Sequence, residues 1–205
     1  MKIGQLKNFS WGKIFLCAIA ISVIWSSAKK HSVLAGDEGL PVTVKGVHHL
    51  GPDYLISQFY IDKKIGDGVG EGGGGGSNVC CLILPKKWTP DLKVEVRWEV
   101  HHIVRPHSPL QSETAELVGI YQAQVPVEKY KEPDLFWVHF FSDGKVRVVV
   151  TPFGFDGDKH PIQWGNAQAA QLASSGKIIR EFFSEEEVAE FARQADIDKK
   201  NLGGW

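Results

Sequence analysis

The segment from Leu135 to Thr151 (LFWVHFFSDGKVRVVVT) constrains the fold of this chain most. Two runs of aromatic and β-branched residues flank Asp143-Gly144, a pair that favours the backbone of a tight hairpin turn. A two-residue turn sets Ser142 opposite Lys145, Phe141 opposite Val146, Phe140 opposite Arg147, His139 opposite Val148 and Trp137 opposite Val150. One face then carries Trp137, His139, Phe141, Val146, Val148 and Val150. The other carries Phe136, Val138, Phe140, Arg147 and Val149. Neither face meets water without leaving a large apolar patch.

Further strands precede the hairpin. From Leu92 to Val100, apolar Leu92, Val94, Val96, Trp98 and Val100 alternate with Lys93, Glu95, Arg97 and Glu99. That period of two buries one face and wets the other. Leu40–Leu50, Tyr54–Asp62, Asn78–Leu84 and Val118–Val127 read as β segments too, with Pro126 suggesting an edge position. Towards the C-terminus, Ser184 with Glu187 forms a capping box, and Phe183 with Val188 is placed for a hydrophobic staple. Val188, Phe191, Ala192 and Ala195 follow as one apolar helical stripe. Asn166 to Gly176 suggests a weaker helix ended by Gly176. Strands followed by helices argue for a mainly β fold: an antiparallel sheet or β-sandwich with one or two C-terminal helices, in the α+β class.

The N-terminus reads as an export signal. Lys2, Lys7 and Lys13 precede the apolar run Ile14–Trp25, which gives way to Ser26-Ser27-Ala28. The run is shorter than the roughly 20 apolar residues of a membrane span. Cleavage after Ala28 is expected, with Val33-Leu34-Ala35 as a second site. The expected organisation is residues 1–28 as signal peptide, 29–39 as linker and 40–205 as one β-rich domain, helical from about 166. Loss of the three lysines leaves 20 of the 23 Lys and Arg against 24 Asp and Glu, a net charge of about −4. A mildly acidic domain is a poor fit to nucleic acid or an anionic membrane. The expected location is the periplasm, with a tether to the inner membrane if the signal is retained.

Cys80 and Cys81 are the cysteines that survive processing. The readings that stand are a vicinal disulfide, closing a small strained ring, or a redox-sensitive pair in an oxidising compartment, against two small apolar residues in a strand. Neighbours in a regular strand point to opposite faces, which opposes the bond. The glycine-rich stretch Gly66–Ser77 lacks the Lys-Ser/Thr ending of a phosphate loop and leads towards a strand rather than a helix. It reads as a flexible hairpin connection, or as a loop around Gly73, Gly74 and Gly75 that orders on a partner.

Histidines occur as the pairs His48-His49 and His101-His102, with His107, His139 and His160 elsewhere. Adjacent histidines on a strand splay apart, and no spacing here matches a known ligand pattern. No metal, no cofactor and no catalytic constellation is expected; an enzymatic reading would need groups such as His49, His101 and an acid to converge. Trp98 and Trp137 read as core, whereas Trp88, Trp164 and Trp205 are freer.

One series of motifs runs through much of the chain: Phe59-Tyr60, the glycines to Ser77, Val79-Cys80-Cys81, Pro85 with Trp88 and Pro90, and Val96-Arg97-Trp98. Trp137-Val138-His139-Phe140-Phe141, Asp143-Gly144 and Val146–Val150 complete it. Over about Val42 to Thr151 the chain resembles a family of bacterial envelope proteins of unassigned biochemical function. These bear signals or lipid anchors and are often encoded beside type VI secretion lipase effectors. The lipobox cysteine of the lipidated relatives is missing here. The resemblance implies a periplasmic immunity protein that binds and neutralises a lipase or phospholipase effector. On that reading Phe136, Phe140 and Arg147 are the expected partner-binding anchors, if the C-terminal helix leaves them uncovered, and Gly73, Gly74 and Gly75 a second contact. The alternative is a non-catalytic envelope module that holds glycan or another periplasmic protein, favoured if Trp88 and Trp164 form an exposed row among polar neighbours.

Overall fold

The alternation at Leu92–Val100 builds the spine of one sheet, and the apolar hairpin lies at the heart of a second. The computed structural model describes residues 39–73, 79–106 and 112–202. The export segment, Gly74, Gly75, His107 and Trp205 lie outside them. The strands are β1 (Gly39–His48), β2 (Tyr54–Ile61), β3 (Lys64–Ile65), β4 (Val79–Pro85), β5 (Lys93–Val104) and β6 (Thr114–Pro126). After these come β7 (Phe136–Phe141), β8 (Lys145–Val150), β9 (Ser174–Ser175), β10 (Lys177–Ile179) and the helix α1 (Glu185–Leu202). One sheet has the order β4-β1-β7-β8-β9 and the other β10-β6-β5-β2-β3. The fold is mainly β, two sheets with one C-terminal helix, of the α+β class. β1 starts at Gly39, inside the segment read as linker.

Among the described strands the ladders are antiparallel except between β1 and β7, which run parallel, and an isolated parallel bridge joins Val127 to Val148. A parallel pair needs a long crossover, and here β2 to β6 supply it. Pro126 ends β6, outside the stretch Ile120–Gln122 that β10 pairs.

The hairpin register differs from expectation by one residue. Asp143 and Gly144 do take positive φ, 60° and 61°, but Ser142 joins them in the connection, and Phe141 pairs with Lys145. A one-residue slip moves a strand's side chains to the other face. Val146, Val148 and Val150 therefore lie opposite Phe140, Val138 and Phe136, while Arg147 lies opposite His139.

Each face of the hairpin is covered. Phe136, Val138, Phe140, Val146 and Val148 join the main core with Phe59, Val96, Trp98 and Val125 of the facing sheet. Phe140 is its meeting point, edge-on to Phe59 at 5.3 Å and tilted against Trp98 at 5.8 Å. On the outer face Trp137, Phe141 and Val149 form a second cluster with Val47, Ile162 and Ala169. The cover on that side is the segment 152–173, which holds a short 3-10 turn, Ala167–Leu172, where a weak helix was expected.

α1 begins as its sequence dictates. The Ser184 hydroxyl accepts from the Glu187 N–H at 3.2 Å, and the Glu187 carboxylate accepts from the Ser184 N–H at 3.1 Å. The expected staple is replaced: Phe183 packs edge-on to Phe191 at 5.1 Å, and Val188 stays half exposed. The helix is held by Arg97 of β5, not by the hairpin.

Candidate functional site

Strand alternation sorts the paired histidines. On β1, His48 points between the sheets and its Nε2 lies 2.8 Å from the Gly70 carbonyl. His49, just past the end of β1, points outward. The parallel register sets Val47 beside His139 and His48 beside Phe140, and the His49 N–H donates to the Phe140 carbonyl at 2.8 Å. His49 thereby lands on the outer face next to His139 and Phe141. Its Nε2 is 2.9 Å from His139 Nδ1, and its ring stacks on Phe141 at 4.6 Å and 8°.

The segment 152–173 closes the cluster from above. His160 lies 5.0 Å from His139 and edge-on to Trp137 at 5.4 Å. Trp164 leans over His49 at 5.6 Å and over Phe155 at 5.7 Å, yet remains 48% exposed. His139 and His160 are buried, and His139 Nε2, His160 Nε2 and His49 Nδ1 have no hydrogen-bond partner among the described residues.

Burial keeps these rings neutral. His49 is lowered to about 4, first by burial and then by repulsion from His48 and His160. His139 falls well below the ordinary histidine value for the same leading reason, with His49, His160 and Arg147 adding repulsion. His48 and His160 are also lowered, chiefly by burial. At neutral pH the cluster is a stack of uncharged imidazoles and aromatic rings.

Above it opens a groove of about 550 Å³. Trp164 and His49 form its wall, and its rim comes from four connections: Gly51-Pro52, Gly72, Ser142-Asp143 and Gly165-Asn166. The start of the glycine-rich stretch is fixed there. Gly73 is buried at φ +77°, and a Cβ on it would strike the His48 carbonyl and the Trp164 ring. Arg105 pairs with Asp53 and with Glu71, tying this stretch to the β1–β2 connection. The arrangement offers a firm apolar wall with hydrogen-bonding groups around it, the usual make-up of a site that holds a ligand or an inserted side chain.

The expected anchors lie elsewhere. Phe136 and Phe140 have no exposure and join the two sheets, so neither presents a surface. Arg147 is buried: it pairs with Glu128 at 2.6 Å and donates to the Ala169 carbonyl at 3.0 Å, holding the 3-10 turn in place. The facing sheet and segment 152–173, rather than the C-terminal helix, cover these residues. Gly73 is buried against the Trp164 ring and the His48 carbonyl behind the groove wall, and its neighbour Gly72 lines the groove instead. His101 pairs with Glu99 at 2.5 Å on β5 and does not join His49. Trp88 donates its indole N–H to the Val127 carbonyl at 2.7 Å and packs against the main core, so it forms no row with Trp164. The meeting of His49 with His139 has no signature in the sequence, because the parallel crossover between them leaves no local signal. Among the described residues no group of three or more His, Cys, Asp or Glu is arranged to hold a metal ion.

The chain matches no curated protein and no solved structure. Residues 52–148, from before β2 to within β8, match the model of a family described as "Protein of unknown function (DUF3304)", a span that holds Gly72, His139 and Phe141 and leaves His49, His160 and Trp164 outside it.

Proposed function

We propose that the protein is an exported, non-catalytic binding protein that neutralises a lipase- or phospholipase-type effector of type VI secretion, and that the Trp164 groove receives a protruding part of that partner. The observation that carries this reading is the state of Trp164. It is half exposed, yet backed by a stack of His49 on Phe141 that fixes its position. A pre-positioned tryptophan at a concave site is what an interface anchor requires, because little side-chain freedom is lost on binding. A stable complex needs about 1,200–2,000 Å² of buried surface, so the surrounding rim must take part. Gly72, Asp143 and Asn166 are the rim groups placed to do so.

The reading is tested by directing the lipase-type effector of the same genome to the periplasm, with and without this protein. Growth is expected to be restored by the native chain and lost again with Trp164→Ala. Failure of the native chain to restore growth or to co-purify with the effector removes the proposal.

A glycan-holding module is the second reading. The placement of Trp164 beside Asn166 and Asp143 favours it, since sugars pair ring stacking with hydrogen bonds. Binding of cell-wall oligosaccharides lost with Trp164→Ala, without effector binding, would select it.

A further inference from the structure

Cys80 and Cys81 are joined by a disulfide between adjacent residues. Both are exposed, on β4, an edge strand. The β1–β4 ladder is irregular there: Val42 pairs with Leu82 and Val44 with Val79, so Thr43 alone faces both cysteines. Two residues against one is the signature of a β-bulge. The bulge releases the pair from the alternation that would send their side chains to opposite faces.

A disulfide ordinarily stabilises a fold by closing a loop of the unfolded chain, and the gain grows with the residues enclosed. Between neighbours no residue is enclosed, so that gain vanishes, while the bulge sacrifices ladder pairing. Stability does not account for the bond. Its surroundings point to chemistry: with Val44, Ile61, Lys64 and Leu82 the two cysteines wall a cleft of about 390 Å³. Lys64 is also among the residues lining that cleft, and a cation in the neighbourhood of a thiol favours its thiolate.

We infer that Cys80–Cys81 is a reversible thiol–disulfide exchange site, open to a dithiol reductant from solvent, whose redox state sets the shape of this cleft. A thiolate of the reductant attacks one cysteine sulfur, the Cys80–Cys81 bond breaks, and a mixed disulfide forms. The other cysteine leaves as a thiolate and takes up a proton. The second thiolate of the reductant then attacks its own sulfur in the mixed disulfide, which releases the remaining cysteine to be protonated. The reductant departs as a disulfide, and the protein has gained two electrons and two protons. An external disulfide reverses the sequence. Reduction removes the link between the two side chains and lets the strand relax around Thr43, which moves one wall of the cleft.

The test uses the full chain, exported by its own signal and trapped with an alkylating agent before lysis. The cysteines are read on the tryptic peptide Ile65–Lys86, which excludes Cys17. The isolated protein is expected to carry no alkyl group there. Dithiothreitol added to the folded protein should add two hydrogens and make both cysteines alkylatable, with loss of amide protection at Val79 and Leu82 and none across β5 and β6. The double variant Cys80→Ser, Cys81→Ser is expected to melt at the wild-type temperature. Four results overturn the inference: free thiols in the protein as isolated, reduction only on unfolding, unchanged protection at Val79 and Leu82, or a large fall in the melting temperature of the double variant.

Discussion

Arg97 of β5 and Glu187 of α1 meet in a two-point ion pair, with both nitrogen–oxygen distances at 2.8 Å. Arg97 is buried and also holds Glu95 at 2.7 Å and the Phe182 carbonyl. Its hydrogen bonds are the main reason the Glu187 carboxyl sits far below the ordinary carboxylate range, with Lys63 and the Ser184 N–H adding to the effect. Beyond Glu187 the helix is exposed, so this pair is its principal tie to the body. Glu187→Gln removes the charge that Arg97 faces across that contact, at a cost of about 1–3 kcal/mol. Hydrogen exchange across Glu185–Leu202 should rise while β5 and β6 keep their protection; unchanged exchange in the helix would show that something else anchors it.

The stacked histidines make the protein acid-sensitive in a defined window. His49 is lowered from 6.5 to about 4, so between those values the unfolded chain binds more protons than the folded one. Stability is complete above about pH 6.5 and declines as pH falls towards 4. The part due to His49 is on the order of 1–2 kcal/mol once solvent screening of a half-buried ring is allowed for. Glu187 acts lower: its contribution is present above the normal carboxylate value and is lost as pH drops further below it. Thermal melts of His49→Gln should fall less steeply between pH 6.5 and 4 than those of the native protein.

Phe140 and Trp164 should separate stability from binding. Phe140 is wholly buried between the sheets, and Phe140→Ala is expected to cost about 3–5 kcal/mol. Trp164 is half exposed, and Trp164→Ala should cost far less. Denaturant titrations of the two variants check the order; a reversed order would mean that Trp164 holds the fold rather than the groove.

Gly73 is where the glycine-rich stretch becomes structural. With φ at +77° and the Trp164 ring and His48 carbonyl against it, Gly73→Ala strains the backbone and displaces the groove wall. A loss of about 1–3 kcal/mol is expected, with a changed Trp164 fluorescence maximum. Gly72→Ala, at φ +74° with nothing near its Cβ, should leave that fluorescence in place.

The sequence revealed those parts of the fold that depend on local chemistry. The alternation at Leu92–Val100 marks β5, and Ser184 with Glu187 marks the start of α1, because both patterns act within a few residues. The hairpin was legible in place but not in register, since Asp143-Gly144 serves a two- or a three-residue connection and only packing chooses between them. That choice decided which face each residue of β8 occupies. It put Val146 and Val148 with Phe140 in the core and turned Arg147 outward under segment 152–173. The candidate site was the least legible. Trp164 stood out as a freer aromatic, but His49 and His139 are joined only by the parallel pairing of β1 with β7, which no short-range pattern announces.

If Trp164 is the anchor proposed above, the affinity of the purified protein for a lipase-type effector depends on that one side chain. Tight binding by the native chain is expected, with weakening of roughly thirtyfold or more for Trp164→Ala, as for an anchor worth about 2 kcal/mol, and no change for Ile178→Ser, at an exposed residue on β10. Equal affinities for the native and Trp164→Ala proteins, or no binding by the native chain, would rule Trp164 out as that anchor.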